Sequence, residues 1–444
     1  MSPCEVQPTV VSADDEPDVG NYFVSAYPPF STWRADKLDD FRRALAAGAA
    51  ADAPLGLYVH VPFCVKRCPY CYYLSYAERS GDEIAAYVDA VLDEARMYAR
   101  SEAIVGRAPA FLYFGGGTPS LLPDARIARL LDDLRATFGA DAPREVTYEC
   151  APQSVTRAKL ETLRAGGVTR LSMGVQQLDD DVLQASGRVH MVQDVQRAWE
   201  EVSRIGYEVV NLDLMVGMVG ETEESFFSSL DRIIEMGPES VTLYQMEVPQ
   251  NTPLYRELAD GAIDEKPASW DTKHDRLEGA FARLEEAGYT VRSAYAAVRD
   301  PERHRFVYQD AQYRGADLIG LGVSSFSFLS GVHQQNIAAL ESYLEIVQRD
   351  EMPLGRAYAL SDDELLVREL VLQLKLGEID TGKLRTRYGI DPLERFAAPL
   401  AELQQAGWLL IDGDSIELTR AGLVRADRLL RRFYRPEHRE VRYS

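Results

Sequence analysis

Cysteine is scarce in this chain. Five occur in 444 residues, too few and too unevenly placed for a disulfide framework. Cys4 and Cys150 stand apart, and the other three, Cys64, Cys68 and Cys71, crowd into one short stretch. Positive charge is also short: 48 Lys and Arg face 70 Asp and Glu, a net −22. That deficit argues against a nucleic-acid partner, which needs clustered Lys and Arg on phosphates, and against an anionic membrane surface. Long apolar runs are missing, so no bilayer-spanning segment is expected, and the N-terminus lacks the pattern of a secretion signal. Repeats and low-complexity segments are missing as well. What remains, 46% hydrophobic and 27% charged, describes a soluble globular protein. With so few cysteines, it is expected in the reducing cytoplasm.

The crowded stretch runs Leu57-Tyr-Val-His-Val-Pro-Phe-Cys-Val-Lys-Arg-Cys-Pro-Tyr-Cys71. An apolar, β-branched run that reads as a strand leads into cysteines spaced C-x3-C-x2-C. Three thiolates this close in a loop can converge on one soft metal centre. A closed zinc or iron–sulfur site takes four protein ligands, so a trio of cysteines on a cubane leaves one iron open. Two plainer readings stand beside this one: a structural zinc site with His60 as fourth ligand, and three unpaired core cysteines. The position of His60 within the strand, before Pro62 and away from the loop, weighs against zinc.

Residues 1–30, rich in Pro, Asp and Val without periodicity, read as a poorly ordered arm, followed by a helix from Ala35 to Ala50. From Leu57, short β-branched runs alternate with amphipathic helices. Strands are expected at 57–61, 110–114, 145–149, 168–175, 208–214 and 240–245, with helices near 82–103, 123–138, 156–165, 179–186, 191–205 and 222–235. This rhythm predicts an α/β fold of parallel strands and crossover helices that closes as a half or full barrel. Polar and glycine-rich residues gather at the C-terminal ends of these strands: the cysteine loop, Gly115-Gly-Gly-Thr-Pro119, Glu149, Gln176 and Asp213. In such folds those ends share one mouth. From Ser361 the pattern changes to helices at 361–376, 381–387 and 392–406, a hairpin from Trp408 to Thr419 turning at Asp412-Gly413, and a helix at 420–433 whose arginines read as a solvated face. The expected division is an arm and helix at 1–53, an α/β core at 54–335, and a helical, winged-helix-like domain at 336–444.

The cysteine spacing, with Tyr70 before the last cysteine, resembles the signature of radical SAM enzymes. Tyr58-Val-His-Val-Pro-Phe-Cys64, Gly-Gly-Gly-Thr-Pro119, Arg170-Leu-Ser-Met-Gly-Val-Gln176, Gly187-Arg-Val-His190 and Asn211-Leu-Asp-Leu-Met215 follow in order. Together they are similar to the oxygen-independent coproporphyrinogen III oxidase family of that superfamily. The resemblance implies a partial (β/α) barrel of radical SAM type with a small winged-helix-like C-terminal domain. It implies that Cys64, Cys68 and Cys71 hold a [4Fe–4S] cluster whose open iron chelates S-adenosyl-L-methionine (SAM). Gly116, Gly117 and Thr118 would meet the methionine amino group, Glu149 and Asp213 the adenosine hydroxyls, Gln176 the nucleoside, and Arg188 the carboxylate by charge-assisted bonds. Tyr58 and Tyr70 complete that set. A second SAM site, as in several family members, would fall near Tyr308, Gly322 and Phe326.

Two departures from the family pattern shape the functional expectation. The porphyrinogen oxidases carry a fourth cysteine two residues beyond the third, where this chain has Tyr73 after Tyr72. The haem-chaperone branch carries His-Asn-x-x-Tyr-Trp, where this chain reads His304-Arg-Phe-Val-Tyr308-Gln309. The expectation is therefore the family's class C methyltransferase or cyclopropane-forming branch. Such an enzyme uses two SAM molecules and an electron donor such as flavodoxin or ferredoxin. It transfers a methyl or methylene unit to an sp2 carbon of a natural-product substrate. Tyr72, Tyr73 and Glu247 are candidates for the catalytic proton step. Tetrapyrrole oxidation and haem carriage are the alternatives.

Overall fold

The computed structural model describes residues 26–48, 53–139, 143–263, 265–439 and 441. Most of the expected arm, Cys4 and the end of the first expected helix lie outside these residues. That helix spans Leu38–Ala46 after a short 3-10 turn. Tyr27, at the end of the expected arm, is fully buried, and its hydroxyl is 2.8 Å from His438 Nδ1.

Twelve strands make the main sheet: β1 (Leu55–Val61), β2 (Phe111–Gly116), β3 (Glu145–Cys150), β4 (Arg170–Gln176), β5 (Val209–Val216), β6 (Ser240–Gln245), β7 (Thr290–Val291), β8 (Ala296–Val298), β9 (Asp317–Leu321), β10 (Phe326–Leu329), β11 (Val332–Asn336) and β12 (Leu354–Ala359). Their spatial order is β12-β11-β10-β9-β1-β2-β3-β4-β5-β6-β8-β7. From β9 through β1 to β6 the neighbours are parallel. Helices such as Gly81–Ala99, Asp124–Phe138, Arg157–Ala165, Val192–Ile205 and Glu223–Met236 make the crossovers. This is the expected partial barrel. Antiparallel strands flank it at both edges.

Alternation along the strands creates the site. One face of the sheet carries Leu57, Val59, Val61, Leu112, Phe114, Leu171, Met173, Val175, Leu212 and Leu214, all buried. Removing each such side chain from water stabilises the fold by about 1.5–3 kcal/mol. The other face is polar. Tyr58 pairs with Tyr113, Tyr113 with Thr147, and Thr147 with Arg170, which makes one row across four strands. Glu149, Ser172, Asn211 and Ser240 make the next row. Gly174, Asp213 and Thr242 follow toward the strand ends. Thr147, Arg170, Asn211 and Ser240 on this face are buried too, a departure from the apolar runs of a sheet covered on both sides.

The segment after β8 closes the lower end of that lumen. Glu145 accepts backbone N–H bonds from Val307 (3.1 Å) and Tyr308 (3.0 Å). Arg170 donates to Ser240 Oγ at 2.8 Å and lies 4.5 Å over the Phe306 ring. The C-terminal region has its own apolar core, formed by Leu366, Leu370, Ile379, Leu384, Leu403, Leu409, Ile416 and Phe433 around helix Asp362–Leu374 and a three-stranded sheet. The expected helix at 420–433 is instead broken into Arg420–Leu423, Ala426–Leu429 and a 3-10 turn at Leu430–Phe433. The barrel takes the carbonyl of Val424 at the break, where Gln245 Nε2 donates at 3.0 Å, and Arg428 N–H turns back to Arg425 O.

Candidate active site

Cys64, Cys68 and Cys71 are free, partly buried thiols on the loop that leaves β1. Pro62 turns the chain out of the strand, and the backbone N–H of Cys71 bonds to Cys68 O at 3.0 Å, which closes the loop. Arg67 locks it from outside through two bonds to Cys71 O. Burial pushes the Cys71 thiol up to about 11, so a metal that takes this sulfur displaces a proton. Among the described residues no three His, Cys, Asp or Glu side chains close around a single metal ion. His60 is engaged at both ring nitrogens, with Tyr58 Oη and Leu74 O each at 3.1 Å. The donor set therefore does not suit one tetrahedral zinc. It suits a cubane, which takes one sulfur on each of three irons.

The Gly115–Thr118 turn packs directly under this loop. Gly117 N–H bonds to Val61 O and Thr118 N–H to Phe63 O. Thr118 Oγ1 is 3.7 Å from Cys64 Sγ. Gly116 has φ +113°, and a Cβ there would meet the His60 ring at 2.4 Å, so only glycine serves. Its N–H bonds to Glu149 Oε2 at 3.2 Å, while Tyr113 donates to Glu149 Oε1 at 2.5 Å. Burial raises the Glu149 pKa. Asp213 accepts from Asn211 Nδ2 at 2.7 Å and Ser172 Oγ at 3.4 Å, and burial together with the Glu149 charge pushes it up to about 7.

Gln176 ends β4, and Arg188, on the loop after helix Asp180–Ala185, reaches the cysteines. A bulge between Gly174 and Gln176 shifts the register with β5, and Gln176 takes φ +67°, a strained backbone for a side chain of its size. Its amide folds back over Gly174, where a Cβ would lie 2.8 Å from Nε2. Arg188 Nη1 is 3.4 Å from Cys68 Sγ and 3.5 Å from Tyr70 Oη, and Nη2 donates to Gly174 O at 3.3 Å. His190 donates from Nε2 to Val175 O, which leaves Nδ1 to accept from Arg188. Gln176 Oε1 and Arg188 Nε are buried without a partner among the described residues. Buried polar atoms left unpaired at a strand-end mouth are what a polar ligand such as SAM satisfies.

Tyr72 and Tyr73 stack at 4.7 Å, with Tyr73 47% exposed at the mouth. Burial pushes the Tyr73 phenol up to about 12, and that of Tyr72 higher, so both keep their protons at neutral pH. The Glu247 charge acts on both rings. The residues expected at a second SAM site come from separate elements. The Tyr308 ring lies 4.5 Å from Tyr113 and so joins the lumen. Phe326 stacks on Phe30 at 4.5 Å. The N–H of Gly322 is bound by Glu94 at 2.7 Å, behind β1. Sequence reasoning missed Tyr113, Arg170 and Ser172 on the inner face; the period-two alternation in β2 and β4 was the signal for them.

The radical SAM superfamily model matches residues 58–233, and the HemN C-terminal domain model matches residues 360–425. The oxygen-independent coproporphyrinogen III oxidase of Escherichia coli is 29% identical over 84% of this chain and 83% of that protein. The haem chaperone HemW of Mycobacterium tuberculosis is 31% identical over 85% of this chain and 94% of that protein. The solved structure of E. coli coproporphyrinogen III oxidase (HemN) superposes with a TM-score of 0.79 at 28% identity, covering 93% of this chain and 96% of that one. These matches overturn the expectation of a methyltransferase or cyclopropane-forming enzyme: the end-to-end relatives are oxidases and haem chaperones. Replacement of short motifs at Tyr73 and at Arg305 and Gln309 had pointed away from both. The chain belongs to the radical SAM superfamily, in the family of HemN coproporphyrinogen III oxidases and HemW haem chaperones, and its cofactors are a [4Fe–4S] cluster and SAM.

Proposed function

We propose that this protein is a radical SAM oxidoreductase that acts on a tetrapyrrole bearing carboxylate side chains, with coproporphyrinogen III as the first substrate to test. The observation that carries the reading is the fold match to the E. coli oxidase along almost the whole of both chains, C-terminal domain included. When bound, the cluster and SAM supply a carbon-centred radical that takes a hydrogen atom from the substrate. Everything else falls to the chain. Cys64, Cys68 and Cys71 would hold the cluster, and Arg188, kept in place by His190 and Gly174 O, would pair with the SAM carboxylate. Gln176 and Asp213 would receive the nucleoside, and Gly116, Gly117 and Thr118 the amino group. Tyr58, Tyr113 and Tyr308 give the lumen flat aromatic walls, and the Tyr72–Tyr73 stack stands at its mouth. Such surfaces pack on the flat pyrrole rings of a porphyrinogen and exclude water from a reactive radical.

The haem-chaperone reading has the higher sequence identity behind it. Against it, His304 Nδ1 is already engaged, accepting from the backbone N–H of Asp300 at 3.3 Å. Arg305 is committed to Asp310 at 2.9 Å.

The test is anaerobic turnover of cluster-loaded, reduced protein with SAM and coproporphyrinogen III. The expected result is 5′-deoxyadenosine and carbon dioxide released together, with no methylated product. Tight haem binding with neither product would overturn the oxidase reading in favour of the chaperone.

A further inference from the structure

The aromatic rings most open to solvent among the described residues are Tyr73, 47% exposed, and Tyr244, 37% exposed. Tyr73 belongs to the stack at the barrel mouth. Tyr244 is the last inner-face residue of β6. Ser240 and Thr242 precede it on that face and are buried, and it pairs with Met215, one rung beyond Asp213. Enclosure by the barrel, then Asp213, Tyr73 and Glu149, raise its pKa, so the phenol stays protonated and faces the same lumen as those groups. Tyr58 and Tyr113 stand on β1 and β2, near the other end of the parallel run. The curvature of the barrel turns the two aromatic sets toward one space. A large ring left open at a ligand-binding mouth is a contact surface in waiting.

The backing of this ring is unusually firm. Tyr295 lies behind it, with ring centres 6.2 Å apart and planes at 30°. Tyr295 is 4% exposed and is fixed at three points. Its carbonyl accepts the Leu243 N–H at 2.7 Å, its hydroxyl donates to Asp427 Oδ1 at 2.6 Å, and Lys375 Nζ lies 5.1 Å over its ring. Lys375 also pairs with Asp427 Oδ1 at 3.1 Å, and its side chain is fully buried. Either charge left alone at that depth would be costly, so the pair stays closed. Lys375 and Asp427 both come from the C-terminal region, which thereby clamps Tyr295 against the back of Tyr244.

We propose that Tyr244 is a substrate-binding residue that packs its face on one pyrrole ring of the tetrapyrrole, and that Tyr295, clamped by Asp427 and Lys375, is the positioning residue that holds it there. The identity of the ligand rests on the functional reading above. Glu149 and Asp213 share the lumen and repel a polyanionic substrate when charged. A neutral aromatic face holds the rings of such a substrate without adding to that repulsion.

The test titrates coproporphyrin III into cluster-loaded protein, read by porphyrin fluorescence, with thermal midpoints recorded for every variant. Tyr244→Leu is expected to weaken binding about tenfold, and Tyr244→Phe, which keeps the ring, to leave it unchanged. Wild-type affinity in Tyr244→Leu, or an equal loss in Tyr244→Phe, overturns the contact. Tyr295→Phe removes the bond to Asp427 and leaves the buried ion pair intact. It should weaken binding about threefold in the wild-type background and not at all in Tyr244→Leu. The same loss in both backgrounds, or none in either, overturns the positioning role. Absence of coproporphyrin binding to the wild type would count against the tetrapyrrole reading alone. Nile red, a neutral planar dye, then reads the surface: its affinity should fall in Tyr244→Leu and hold in Tyr244→Phe. Equal affinity in all three proteins overturns the contact.

Discussion

Asp213 shows what the site costs at the level of a single residue. Two neutral donors, Asn211 and Ser172, hold its carboxylate, yet burial and the Glu149 charge push its pKa up to about 7. An unfolded Asp titrates near ~3.9. Between that value and about 7 the folded protein keeps a proton that the unfolded chain has released. Stability therefore falls as pH rises through this window and levels off above it. Asp213→Asn removes the penalty, which is on the order of a few kcal/mol at most. The thermal midpoint of the variant should exceed that of the wild type by more at pH 8 than at pH 5, while its SAM affinity drops. Equal midpoint differences at both pH values would show that ionisation of this residue is not what strains the fold. Gln176 belongs to the same class: a left-handed backbone and an unpaired buried amide oxygen are retained where a ligand is to be received.

At the level of elements, the glycine turn after β2 and the cysteine loop after β1 act as one unit. A Cβ on Gly117 would sit 2.7 Å from Phe63 O and 2.9 Å from Phe63 N, both backbone atoms that cannot swing aside. Gly117→Ala should cost about 1–3 kcal/mol by overpacking and lower the iron content after reconstitution. Gly81→Ala, at a position with nothing within 4 Å of the added carbon, should leave both unchanged. A Gly117→Ala protein with wild-type midpoint and iron would refute the coupling of the two loops. Elements of this kind were legible in the sequence. The strand ends carrying the cysteines, Glu149 and Asp213 follow from period-two and helical alternation, and β1 to β6 lie within two residues of expectation at each end. Less legible was whatever depends on contacts distant in sequence. The bulge that aims Gln176 is a register shift against β5, and the break at Val424 is made by a side chain of β6. Gly322 and Phe326 lie on the β9–β10 corner, and their partners Glu94 and Phe30 are remote in sequence.

At the level of the whole molecule, two apolar cores are tied together at the mouth of the barrel. Gln245 reaches Val424 O, and the backbone N–H of Ala294 bonds to Lys375 O at 2.8 Å. The C-terminal region is thus joined to the rim of the barrel. The branch of the family was misjudged from the sequence for a related reason. Two local departures, Tyr73 for cysteine and Arg305 and Gln309 for Asn and Trp, point away from relatives that match more than four-fifths of the chain. Among the described residues no helix is long and apolar enough to cross a membrane. The account rests on three thiolates that leave one iron of a cubane open to SAM. The most direct measurement is the electron paramagnetic resonance spectrum of anaerobically purified, dithionite-reduced protein, with and without SAM, alongside its metal content. The account predicts about four irons per chain and a reduced-cluster signal that SAM shifts. Zinc in place of iron, or a cluster signal indifferent to SAM, would contradict it.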